Sequence, residues 1–153
     1  MKHAFTMIEL IYVIVILGIL SAVAIPKFAS TRNMADIGVA RSDVAVIRSA
    51  IMSERQSRLI TGDNAYIGKL SSSTTLLFTG DTKKKRTLLT YGIVAGSSKK
   101  DAGKWTASDK KGLNYAFRAD TVSVVFKYDP KTGKFTCNRK SKKYGTQCKQ
   151  IID

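Results

Sequence analysis

Residues 5–26 read FTMIELIYVIVILGILSAVAIP. From Phe5 to Ile25 this run contains one carboxylate, Glu9, and from Leu10 to Ile25 it contains no charge at all. At a rise of ~1.5 Å per residue, a helix over these positions is about 30 Å long, the thickness of a bilayer's hydrocarbon. The run therefore predicts a membrane-spanning helix. Lys2 precedes it and Lys27 follows it. Lys2 together with a free amino terminus favours an amino end held in the cytoplasm, with the rest of the chain on the far side. Two other readings compete. A secretory signal peptide shares the basic start and apolar centre, and Ala22-Val23-Ala24 has the A-x-A form that precedes a cut. A plain membrane anchor accounts for the length but not for Glu9. Glu9 at the edge of the apolar run, and a helical pattern that resumes beyond Pro26, weigh against the signal peptide.

Past Pro26 the apolar positions take on a helical period. Ile37, Ala40, Val44, Ile47 and Ile51 form one stripe, and Asp36, Arg41, Asp43, Arg48, Glu54 and Arg55 mostly fall away from it. Gly62-Asp63-Asn64 supplies a stop after Ile60 or Thr61. The expected element is one helix of more than fifty residues, bent at Pro26, membrane-buried in its first half and domain-bound in its second. The remainder reads as strands: Leu88 to Val94, Asn114 to Phe117, Val122 to Tyr128 and Phe135 to Asn138. Asp129-Pro130-Lys131-Thr132-Gly133 turns the third into the fourth, and Ser71 to Thr75 and Ala95 to Gly103 read as loops. The fold class is α+β, a long amino-terminal helix packed on a small antiparallel sheet. The stripe from Ile37 to Ile51 covers that sheet, the alternative being a groove for a partner helix.

Composition narrows the chemistry. The 153 residues make one domain, and 44% hydrophobic with 24% charged residues is an ordinary globular balance. The single histidine, His3, stands at the extreme amino end, so histidine-dependent hydrolysis and His-ligated zinc lack their central residue. Asp101, Asp109, Asp120 and Asp129 are too scattered for a calcium loop, and there is no phosphate-loop signature. The sequence thus predicts no catalytic residue, no metal and no cofactor. Cys137 and Cys148 are too few for a four-thiolate site and suit one disulfide, two free buried thiols being the alternative. Closing the ten residues between them stabilises by roughly 2–3 kcal/mol.

The amino-terminal residues resemble the type IV pilin and type II secretion pseudopilin family. The resemblance rests on the short basic leader Met1-Lys2-His3-Ala4, on Phe5-Thr6-Met7-Ile8-Glu9-Leu10 opening an apolar helix, and on Gly18 and Pro26 at the family's usual spacing. It implies a leader at 1–4, an assembly and membrane segment at 5–26, and a globular domain at 27–153 lying in the periplasm or outside the cell. It further implies cleavage between Ala4 and Phe5 by a prepilin peptidase and methylation of Phe5; the family generally has Gly where this chain has Ala4. An acid near a bilayer centre costs on the order of 2.5–3.5 kcal/mol, so Glu9 needs a cation. The resemblance supplies one, the new ammonium on Phe5 of a neighbouring subunit. A carboxylate lying shallowly at the headgroups is the alternative.

Charge is segregated along the chain. Up to Asp81 there are 8 Lys and Arg against 6 Asp and Glu; beyond it there are 18 against 5. The excess gathers in Lys83-Lys84-Lys85-Arg86, Lys99-Lys100, Lys110-Lys111, Arg139-Lys140 and Lys142-Lys143, interleaved with Tyr91, Trp105, Tyr115, Tyr128 and Tyr144. Basic groups attract phosphates without regard to base sequence, and aromatic faces stack on unpaired bases, so DNA or another polyanion is a candidate ligand. A solvated face is the alternative for any single run. So much like charge also disfavours the dense major subunit of a filament. The expected protein is a pseudopilin or minor pilin held in the inner membrane, partnered by other pilin subunits and suited to DNA uptake. Protein export, pilus adhesion and a secreted basic enzyme are the competing readings.

Overall fold

A computed structural model describes residues 6–98 and 101–153. The processing positions Ala4 and Phe5 and the pair Lys99-Lys100 lie outside the described residues. The chain divides into two units between Ala35 and Asp36, and one helix, α1 (Met7–Leu59), contributes to both. Pro26 lies inside that helix and does not end it. The end comes at Leu59, one residue before the earliest predicted stop: the N–H groups of Thr61 and Asp63 both donate to the Arg58 carbonyl, at 2.9 and 3.1 Å. Gly62, at φ 83°, takes the left-handed conformation that closes such an end.

In the second unit the stripe meets a four-stranded antiparallel sheet. Its strands are β5 (Trp105–Ala107), β6 (Asn114–Ala119), β7 (Val122–Asp129) and β8 (Lys134–Cys137), in that spatial order. Two shorter antiparallel pairs precede it: β1 (Leu76–Leu77) with β4 (Ile93–Val94), and β2 (Gly80–Asp81) with β3 (Arg86–Thr87). The register aligns Trp105 with Phe117 and Val124, Tyr115 with Phe126, and Tyr128 with Phe135, so one face of the sheet is a continuous apolar layer. These residues form a single core with Ala40, Val44, Ile47 and Ile51 of α1, and Ile37 packs partly buried beside it. Trp105 sits centrally, its ring 5.1–5.5 Å from those of Phe78, Phe117 and Phe126. The expected cover of sheet by stripe is what the structure shows.

Leu88 to Val94 is not one strand. Leu88 and Leu89 donate their N–H groups to Thr79 and Phe78, the chain turns through Tyr91-Gly92, and only Ile93-Val94 pairs again. Its two ends meet different neighbours: Leu88-Leu89 the stretch between β1 and β2, Ile93-Val94 the strand β1. Helix α2 (Gly145–Ile152), β1, β2, β3 and β5 are additional to the predicted elements. The predicted turn at Asp129–Gly133 is present, with the Asp129 carboxylate accepting from Lys131 N–H and the Thr132 hydroxyl.

Polar ties fix α1 on the rest of the second unit. Arg86 is buried at 7% exposure and forms a two-pronged pair with Glu54, at 2.6 and 2.7 Å, while also donating to the Ala65 and Tyr66 carbonyls. The Glu54 hydrogen bonds hold the guanidinium above its ordinary pKa. Breaking a buried pair from one side strands the other charge. We expect Arg86→Ala to cost about 3 kcal/mol, the low end for such a change because Arg58 lies 3.5 Å from Glu54. Arg86→Met with Glu54→Leu should recover most of that loss in urea unfolding; a double variant as unstable as the single one would refute the account.

Asp43 accepts a 2.8 Å hydrogen bond from the Trp105 indole, and burial pushes its carboxyl above the ordinary value despite that donor. A raised folded pKa means the protonated form is favoured on folding. Its contribution is fully present below the unfolded pKa and is lost as pH rises through the folded one. Asp43→Asn keeps an acceptor for the indole and removes the charge. The variant should therefore match the parent near pH 3 and exceed it at pH 7; equal unfolding midpoints at both pH values would contradict this.

Candidate assembly helix and basic surface

The first part of α1 is apolar on every side. From Met7 to Ile25 its large side chains are between 39% and 79% exposed, and an 18-residue window reaches a mean hydropathy of 2.7. The helix is long and apolar enough to cross a membrane by length and composition. Gly18 meets no atom within 4 Å of where a Cβ would stand. Glu9, which the sequence suggested must find a cation, has local partners. Its Oε2 accepts the N–H and the hydroxyl of Thr6, both at 2.9 Å, and Glu9 N–H donates back to the Thr6 hydroxyl at 3.3 Å. Thr6 and Glu9 thus form a capping box, which satisfies the first donors of the helix and puts negative charge at its positive end. The spacing Thr-x-x-Glu before an apolar run is a sequence signal for this.

In the second unit, the side of α1 opposite the core stripe carries no charge. Val39, Ser42, Val46, Ser49 and Ser53 lie along it at helical spacing, all exposed. Arg41, Asp43, Arg48 and Arg55 flank the stripe instead and are tied to the domain: Arg48 donates to Phe135 O at 3.1 Å, and Arg55 stacks over Tyr66 at 4.1 Å.

The basic residues divide into exposed and engaged groups. Lys83, Lys84 and Lys85 are exposed on a single 3-10 turn between β2 and β3, capped by the Asp81 carboxylate, with Lys85 at φ 51°. Arg86, grouped with them by sequence, is drawn inward to Glu54 and is not part of that surface. Lys110 and Lys111 are exposed in the turn before β6. Cys137 and Cys148 form a disulfide with Cα atoms 5.9 Å apart, and Cys148 is buried in α2. The loop it closes presents Lys140, Lys142 and Lys143; Arg139 pairs with Asp153 at 2.5 Å. Of the interleaved aromatics, Trp105, Tyr115 and Tyr128 are core and offer no face to a base, and Tyr144 is half-buried. Tyr91, 90% exposed, is the one left open among the described residues.

An apolar helix that continues into a one-faced helix clasped by an antiparallel sheet is a pilin-like α+β architecture. A stretch of 50 residues is 43% identical to Type II secretion system core protein G of Pseudomonas aeruginosa, covering 33% of this chain and 35% of that protein. The match therefore spans about a third of the length of each. It bears out the resemblance to the pilin and pseudopilin family. No family model matches the chain, and no solved structure matches it.

Proposed function

We propose that the chain is a non-enzymatic structural subunit, a pseudopilin or minor pilin, of an envelope machine of the pilus or secretion type. The observation that carries this reading is the 43% likeness over 50 residues to a type II secretion core protein. It is supported by a helix of membrane-spanning length capped by Thr6 and Glu9 and by the uncharged outer face of α1. In this reading 1–4 is a leader removed by a prepilin peptidase on the cytoplasmic side, 5–26 is the inner-membrane and assembly segment, and 27–153 is the exported domain. Phe5 is methylated, and its ammonium meets Glu9 of an adjacent subunit. Gly18 and Pro26 belong to the packed segment.

Mass spectrometry of the protein from its cells should find a chain beginning at methyl-Phe5, whereas a chain beginning at Ile25 would mean a secretion signal. Glu9→Gln and Glu9→Ala separate pairing from capping. The Gln variant retains the box geometry without charge, so both variants should enter the membrane and both should fail to assemble. Filaments of normal yield from Glu9→Gln would leave Glu9 as a cap only.

Within this class, we read the exported domain as a DNA-contacting surface. The support is the exposed lysine set Lys83, Lys84, Lys85, Lys110, Lys111, Lys140, Lys142 and Lys143, with Tyr91 available for stacking. Protein export is the second reading, favoured by the likeness to a type II secretion system core protein. Titration with oligonucleotides of differing sequence should give affinities that fall with salt, and Lys83→Glu with Lys84→Glu and Lys85→Glu should weaken all of them alike. Absence of binding at low salt would leave the export reading.

A further inference from the structure

The segment Ser71-Ser72-Ser73-Thr74-Thr75 is tied to its surroundings through hydroxyl hydrogen bonds. Ser71 Oγ accepts Phe78 N–H at 2.7 Å and lies 2.9 Å from the Tyr115 hydroxyl. Ser72 Oγ donates to Gly80 O at 3.1 Å and accepts Thr82 N–H at 3.0 Å. Ser73 Oγ accepts the N–H groups of Thr75 and Leu76. Facing it is the turn Asp109–Gly112. Gly112 has φ 71°, and a Cβ there would stand 2.4 Å from the Ser71 carbonyl, so only glycine allows the two segments to approach. Leu70 N–H donates to Gly112 O at 3.0 Å and locks them together.

Between these segments is a cavity of about 380 Å³ lined by Ser71–Thr74, Asp109, Lys110 and Gly112. Among the described residues, the N–H groups of Ser72, Ser73 and Thr74 and the Thr74 hydroxyl donate to no protein acceptor. Consecutive unused N–H groups on residues that line a cavity together with Lys110 suit a phosphate oxygen. Asp109 also lines the cavity, but its carboxylate is turned to its own chain: Oδ1 accepts Leu113 N–H at 3.2 Å and Oδ2 accepts the Asn114 amide. Lys110 and Lys111, both exposed, outweigh its charge.

We propose that this cavity is a subsite for a phosphate group, taken there from the phosphodiester backbone of a nucleic-acid strand, with Lys110 and the Ser72–Thr74 amides as its donors. The choice of strand rests on the DNA reading above; the phosphate chemistry does not. The test uses the full chain, isotopically labelled, in a maltoside detergent, with inorganic phosphate and a short oligodeoxynucleotide as separate probes. Both probes should move the amide resonances of Ser72, Ser73 and Thr74. Lys110→Gln should lower the salt slope of oligonucleotide binding by about 1, and Thr74→Val should weaken binding with an unchanged melting temperature. Oligonucleotide binding with parental slope in Lys110→Gln, and no shift of the three amides by either probe, would overturn the subsite and leave DNA binding standing. Amide shifts with phosphate but no oligonucleotide binding would retain the phosphate site and overturn the strand as its source.

Discussion

The interaction on which the domain depends is the seating of Trp105 between the sheet and α1. Its ring contacts Phe78, Phe117 and Phe126, and its indole N–H has to be satisfied away from water. Asp43, adjacent in sequence to the stripe residue Val44, provides the acceptor. The same solution recurs: Tyr128 donates to Ile67 O at 2.8 Å, and the Tyr115 hydroxyl lies 3.0 Å from Gly112 O. Each of these three aromatics thus joins an apolar contact to a polar tie on α1 or on a loop, and in doing so is removed from any role at the surface.

One helix meets two different demands. From Leu10 to Ile25 its side chains carry no charge and are almost all apolar, a pattern that needs no protein cover in hydrocarbon but leaves the first backbone donors without water. The Thr6–Glu9 box meets that need internally. A carboxylate that seemed to require a partner on another molecule therefore has a local reason to be present. The two roles are compatible, because the cap fixes the charge near the start of the helix, where the dipole favours it.

The α+β class, the stripe and the central strands were legible because period and alternation are local properties: Ala40, Val44, Ile47 and Ile51 recur at helical spacing, and Val124, Phe126 and Tyr128 alternate. What was not legible depends on contacts distant in sequence. Arg86 looks like the end of a lysine run and is claimed by Glu54, 32 residues earlier. Trp105–Ala107 is too short to show alternation and becomes a strand by pairing with β6. Helix α2 spans only eight residues, and isolated helices of that length are marginal; its buried Cys148 and Ile151 give it packing, and the disulfide ties it to β8. The Leu88–Val94 run imitates one continuous strand because its apolar residues meet two separate neighbours, the Phe78-Thr79 stretch and β1.

The division of labour among the basic residues bears on what kind of ligand the domain suits. Arginines are largely engaged within the fold: Arg41 with Gln150 O, Arg48 with Phe135 O, Arg55 with Tyr66, Arg86 with Glu54 and Arg139 with Asp153. Among the described residues every lysine after Lys69 is exposed. A guanidinium matches planar acceptors with a fixed fork and is the usual reader of guanine edges, whereas an ammonium acts as a compact, mobile charge. On the DNA reading proposed above, a surface whose exposed cations are mainly lysines suits phosphate attraction better than base recognition. Any nucleic acid held there is accordingly held by its backbone, with affinity governed by salt.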